Sequence, residues 1–152
     1  MGGYTLARNR ARRRSKRANH LPDSKQPRLL DWNPERQMFT LRPRCMGTNQ
    51  MSNRWKWSAE KKRWRILFQE CQKRHGIPQF KRPLKLYFRC FERNACRDVD
   101  NTYGGARKIV LDAMKKSGII FNDGQRWVRG FGEELPLIDR NDPRIEVEAV
   151  EI

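Results

Sequence analysis

Leu84-Lys85-Leu86-Tyr87-Phe88-Arg89-Cys90 alternates apolar with polar residues, which predicts a β-strand with one face in a core. Downstream, Ala106, Ile109, Val110, Ala113 and Met114 fall on one stripe at helical spacing, and Ser117-Gly118 closes that helix. Ile119-Ile120-Phe121 reads as a short buried strand, Asp123-Gly124 as a turn and Trp127-Val128 as the return. A strand, a helix and further strands in this order call for a helix layer on a sheet.

Working outward, Met38-Phe39-Thr40-Leu41 reads as an opening strand stopped by Pro43, and residues 44–57 as a basic loop. Ser58 is an N-cap residue for a helix carrying Trp64, Leu67, Phe68 and Cys71 on one face, ended by Gly76 and Pro78. Residues 130–143 hold loop signals. Ile145, Val147 and Ala149 alternate with glutamates in a last strand, expected at a sheet edge. The order β-α-β-α-β-β-β gives an α+β (mixed α/β) class, a small sheet covered by two helices.

Charge divides the chain. Of 152 residues, 34 are Lys or Arg and 17 Asp or Glu, a formal net charge of +17. Arg8, Arg10, Arg12, Arg13, Arg14, Lys16 and Arg17 stand in a front segment without apolar periodicity, so residues 1–36 are expected to be a disordered basic arm and 37–152 the folded domain. Such an arm neutralises phosphate without reading sequence. From Glu133 onward acids prevail, so the nucleic-acid-facing surface is expected in the first two-thirds. No apolar run has the length of a membrane span and no signal-peptide core follows Met1, which sets the expectation of a cytoplasmic protein with no membrane partner. Cys45, Cys71, Cys90 and Cys96 lack metal-site spacing and read as reduced thiols.

Against this basic background stands Arg97-Asp98-Val99-Asp100-Asn101, with Asp123 further on. In an extended segment, residues two apart project to the same side, and two carboxylates so placed repel unless a cation sits between them. The donors are oxygens alone, which favours Mg²⁺, with Mn²⁺ as the alternative, over zinc. Each acid also has an ordinary reading. Acids ahead of a helix cap it, Asp-Gly makes turns, and Lys108 with Asp112 is an i,i+4 surface pair.

Taken together, these residues resemble the RusA family of Holliday-junction resolvases. Arg97-Asp98-Val99-Asp100-Asn101 is similar to that family's R-D-x-D-N motif. Lys108 to Met114 is similar to its lysine-bearing helix, and Ser117 to Asp123 to its apolar strand followed by aspartate. Weaker similarity reaches upstream through Phe39-Thr40-Leu41, the Asn49–Arg54 loop and Ser58-Ala59-Glu60, and downstream to the strand at 145–151. Between Asn101 and Lys108 the chain carries several residues more than the family pattern. Because Gly104 and Gly105 disfavour helix, these are expected to form a longer loop.

The resemblance implies a homodimeric, Mg²⁺-dependent endodeoxyribonuclease that resolves four-way junctions by paired nicks. It assigns Asp98, Asp100 and Asp123 to metal, and Lys108 to the charge developing on phosphate, with Arg107 as its substitute. Asp112 would orient Lys108. Arg42, Arg44, Asn49, Asn53, Arg54, Lys56, Lys61, Lys62 and Arg97 would contact DNA; Trp55 and Trp57 read first as core or loop packing, with stacking of one of them on unpaired bases as the alternative. The rival readings are a non-catalytic basic nucleic-acid-binding protein and a nuclease for Y-junctions or forks.

Overall fold

A computed structural model describes residues 28–45 and 47–152; most of the arm, residues 1–27, and Met46 lie outside the described residues. The fold is α+β, with strands β1 (Leu30–Asn33), β2 (Met38–Leu41), β3 (Leu84–Glu92), β4 (Val128–Glu133), β5 (Leu137–Ile138) and β6 (Arg144–Glu151). Two helices, α1 (Arg54–His75) and α2 (Val99–Lys116), join them, with a 3₁₀ turn at Thr48–Gln50. One six-stranded sheet runs in the order β1-β2-β6-β3-β4, and β5 continues the edge beside the far end of β3. Both β4 and β5 lie parallel to β3, whereas β6 is antiparallel to β2 and β3. A parallel neighbour requires a crossover, and α2 supplies it between β3 and β4.

The alternation in β3 divides the sheet. Leu84, Leu86, Phe88 and Cys90 point into the core, where they meet Trp64, Phe68 and Cys71 of α1 and Ile109, Val110, Ala113 and Met114 of α2. Phe39 of β2 joins them with its ring centroid 5.0 Å from that of Phe68. Each fully buried large side chain here is worth roughly 1.5–3 kcal/mol of transfer free energy, which is what fastens both helices to one face. The opposite face carries Tyr87, Arg89, Glu146 and Glu148, with Arg89 paired to Glu146 at 3.3 Å and to Glu148 at 3.6 Å.

Several elements differ from the sequence expectation. Leu30–Asn33 pairs with β2, so folded structure begins ahead of residue 37. α1 starts at Arg54 rather than after Ser58: the Asn53 side chain caps it, accepting the Lys56 amide at 3.1 Å, and Trp57 packs against the core. At its other end Gly76 takes the left-handed conformation, φ 59°, that terminates helices. The expected 119–121 strand reduces to a single bridge between Phe80 and Ile120. The expected return strand does form from Val128 and runs on to Glu133, with a further strand at 137–138, both reaching into the expected loop. β6 is central, because its glutamates meet Arg89 on the uncovered face instead of solvent at an edge.

The expected loop at 102–107 is helix. α2 runs without a break through Gly104 and Gly105. A Cβ on Gly104 would stand 2.5 Å from Thr48 Cγ2, so the glycine is what lets the 3₁₀ turn approach the helix. That close packing outweighs the ~1 kcal/mol helix penalty of glycine.

Candidate nucleic-acid and metal site

The acidic motif splits into inward and outward residues. Glu92, next on the core-facing parity of β3, is buried, and its carboxylate pairs with both Arg97 and Arg44, the latter at 2.6 Å. Arg97 also donates to the Cys45 carbonyl at 3.2 Å. Asn101 is buried too: its Oδ1 accepts from the Asn49 amide at 2.9 Å and the Thr48 hydroxyl at 3.2 Å. Arg97 and Asn101 thus clamp Cys45, Thr48 and Asn49 against the start of α2. Glu92 was missed in the sequence, although counting the strand alternation two residues past Cys90 points it inward.

Asp98 is the N-cap of α2, accepting the Asn101 amide at 2.7 Å. Asp100 lies in the first helical turn, so the segment is not extended as anticipated. Its carboxylate is exposed and has no hydrogen bond or ion pair among the described residues. Both acids sit at the N-terminal end of α2, where side-chain negative charge is stabilising for the helix. Arg44, Cys45, Asn49, Gln50, Arg97 and Asn101 line a groove of ≈ 490 Å³, while Asp98 lines a separate one with Glu92, Val99 and Ile138.

Lys108 is exposed on α2, its Nζ 3.8 Å from Met51 Sδ and paired with no acid among the described residues. Arg107, the alternative, is engaged: it pairs with Glu133 at 3.2 Å and lies over the Phe131 ring. Asp112 does not orient Lys108. It bridges to α1, where Arg65 Nε approaches to 2.6 Å and Lys61 to 3.8 Å. Burial alone would raise the Asp112 carboxyl; the Arg65 hydrogen bonds, with Lys61 beside them, overcome this and hold it below the usual carboxylate range.

Asp123 is at the far end. It stands on the exposed turn beyond α2, 3.4 Å from Lys115. An 18-residue helix is about 27 Å long, so one chain does not bring Asp123 to Asp98 and Asp100. Among the described residues no three His, Cys, Asp or Glu side chains are grouped to hold a metal ion. Asp98 and Asp100 offer oxygen donors, the kind Mg²⁺ takes; as the N-cap and a first-turn residue of a helix they are two apart and do not face each other as they would in an extended segment.

The expected DNA contacts also divide. Arg42 is paired with Asp142 at 2.9 Å, Arg44 and Arg97 with Glu92, and Lys61 with Asp112. These cations serve the fold, and Asn53 serves as a cap. Arg54, Lys56 and Lys62 on the first turns of α1 are exposed and have no ion pair among the described residues. The amide of Asn49 is committed to Asn101.

No family model matches the chain, and no curated protein matches it. Among the described residues no helix is long and apolar enough to cross a membrane.

Proposed function

We propose that this protein is a Mg²⁺-dependent endodeoxyribonuclease of the RusA kind, cutting branched DNA as a homodimer. The observation that carries the reading is Asp100. It is an exposed, unpaired carboxylate beside Asp98 in a chain of net charge +17, where cations to neutralise it are plentiful. Lys108, likewise unpaired by acids, projects from the same helix. A bound cation would polarise the scissile phosphate and lower the pKa of an attacking water. The chain's own part is to hold that cation at Asp98 and Asp100, steer DNA with Arg54, Lys56 and Lys62, and place Lys108 toward developing phosphate charge.

The position of Asp123 favours a site shared by two chains. A two-fold dimer with antiparallel α2 helices would bring Asp123 of each chain to Asp98 and Asp100 of the other, a self-complementary arrangement. Exposed apolar side chains flank both acid clusters: Phe121 beside Asp123, and Val99 with Ile138 beside Asp98. A second reading, a non-catalytic DNA-binding protein, is favoured by the cap role of Asp98 and the Lys115 partner of Asp123.

Cleavage of a labelled four-way junction and its linear duplex, with Mg²⁺ or EDTA, separates these readings. Metal-dependent nicking of the junction that Asp100→Asn abolishes while junction binding persists supports the nuclease. Binding without cleavage under any divalent metal supports the second reading. Mixing Asp100→Asn with Asp123→Asn chains tests the shared site. Heterodimers then hold one intact site and recover single-strand nicking, whereas sites confined to one chain give no recovery.

A further inference from the structure

Five tryptophans are present, and four have apolar company. Trp64 is fully buried, Trp57 packs against the core, Trp32 lies 4.5 Å from the Phe39 ring and Trp127 5.3 Å from Phe121. Trp55 is 89% exposed and has no ring or hydrogen-bond partner among the described residues. It contributes nothing visible to the core.

Its surroundings suit a nucleic acid. Arg54 and Lys56 flank it, and Lys62 follows two helical turns later on the same face, all three without an ion pair among the described residues. The first turn of α1 follows the Thr48–Gln50 turn directly, and that turn is fastened to Asn101 at the start of α2. Trp55 therefore stands on the framework that carries Asp98 and Asp100. A flat aromatic face among free cations meets the two demands of an unpaired strand, stacking for the base and positive charge for the phosphates. Paired bases inside a duplex are already stacked and do not offer a face.

We propose that Trp55 is a stacking platform for an unpaired DNA base, with Arg54, Lys56 and Lys62 on the adjoining phosphates. This rests on the branched-DNA reading and deepens it: the preferred substrate exposes unstacked bases at its branch point.

The test uses the full chain, arm included, in EDTA, with fluorescence anisotropy on labelled dT20 and on a 20-bp duplex. Trp55→Ala should weaken dT20 binding roughly 5- to 100-fold, the range stacking on one base supplies, and duplex binding less than 2-fold. Trp55→Phe should retain most of the dT20 affinity. Equal loss on both DNAs, or no loss on dT20, overturns the proposal. So does conversion of Trp55→Ala to a smaller species on gel filtration with dT20 affinity unchanged, which would assign Trp55 to a contact between copies. Junction cleavage by Trp55→Ala in Mg²⁺ is scored separately, so stacking and catalysis can fail independently.

Discussion

Asp112 on α2 receives Arg65 of α1 through two hydrogen bonds, at 2.6 and 3.2 Å, and so ties the two helices that cover the sheet. The pair is partly buried, and removing one partner leaves the other guanidinium or carboxylate short of its match. Asp112→Asn should cost about 2 kcal/mol at pH 7, the scale of a hydrogen bond to a charged group. Its pH dependence follows from the depressed carboxyl. The contribution is complete above the unfolded carboxylate value near 4 and is lost as pH falls through the lower folded value. Urea unfolding at pH 7 and pH 3 should show the wild type losing its advantage over Asp112→Asn; a constant difference would contradict this account.

Asp98 and Asp100 should separate by assay. Because Asp98 caps α2, Asp98→Ala should lower stability by about 1 kcal/mol, with or without any enzymatic role. Asp100 has no hydrogen bond or ion pair in the described structure, so Asp100→Asn should lose no more than the ~0.3–1 kcal/mol of its charge at the start of α2. If only cleavage falls in Asp100→Asn while both folding and binding hold, the outward acid is chemical; a matching fall in stability would make it structural.

Gly104→Ala poses propensity against packing. Alanine gains up to about 1 kcal/mol in a helix interior. The new methyl meets Thr48 Cγ2 at 2.5 Å, and overpacking of this kind costs about 1–3 kcal/mol. Net destabilisation is expected, and Thr48→Ser should relieve it, because serine keeps the hydroxyl bonded to Asn101 and lacks the offending methyl. A double-mutant cycle with zero coupling would show that the turn and helix are not in contact there.

The thiols give a quick structural check. Burial raises Cys45 and Cys71 and pushes Cys90 up to about 12, whereas Cys96 is exposed. At pH 8 an aromatic disulfide reagent should titrate one thiol rapidly in the native protein and four in guanidinium. Two or more fast thiols would mean that the core around β3 opens readily.

What could be read beforehand follows the range of each interaction. β3 and the apolar stripe of α2 announce themselves because period and burial are local. The central place of β6 does not, since Glu146 and Glu148 look like edge residues until Arg89 is set beside them. Gly104 and Gly105 argue against helix until Thr48, far back in the chain, explains the first of them. β1, four residues in a charged context, is held by its pairing with β2 and by Leu30 in the core. In the site, Asp98, Asp100 and Lys108 lie exposed. Arg97 turned inward because Glu92 was waiting on the buried face, and Asp112 chose Arg65 over its helical neighbour. Most of these misses turned on a partner distant in sequence, whereas the early start of α1, set by the Asn53 cap, was a local one.

The clamp around α2 has a consequence for how such proteins are recognised. Within Arg97-Asp98-Val99-Asp100-Asn101 the first and last letters answer to the fold, and the second answers partly to it. A chain of this fold with no chemistry at all would still need Arg97 for Glu92, Asn101 for the Asn49 amide and Asp98 for the helix start. Three of the motif's four specified letters are therefore kept by the fold itself, and on the proposed reading the fate of Asp100 alone would distinguish a nuclease from a silent copy.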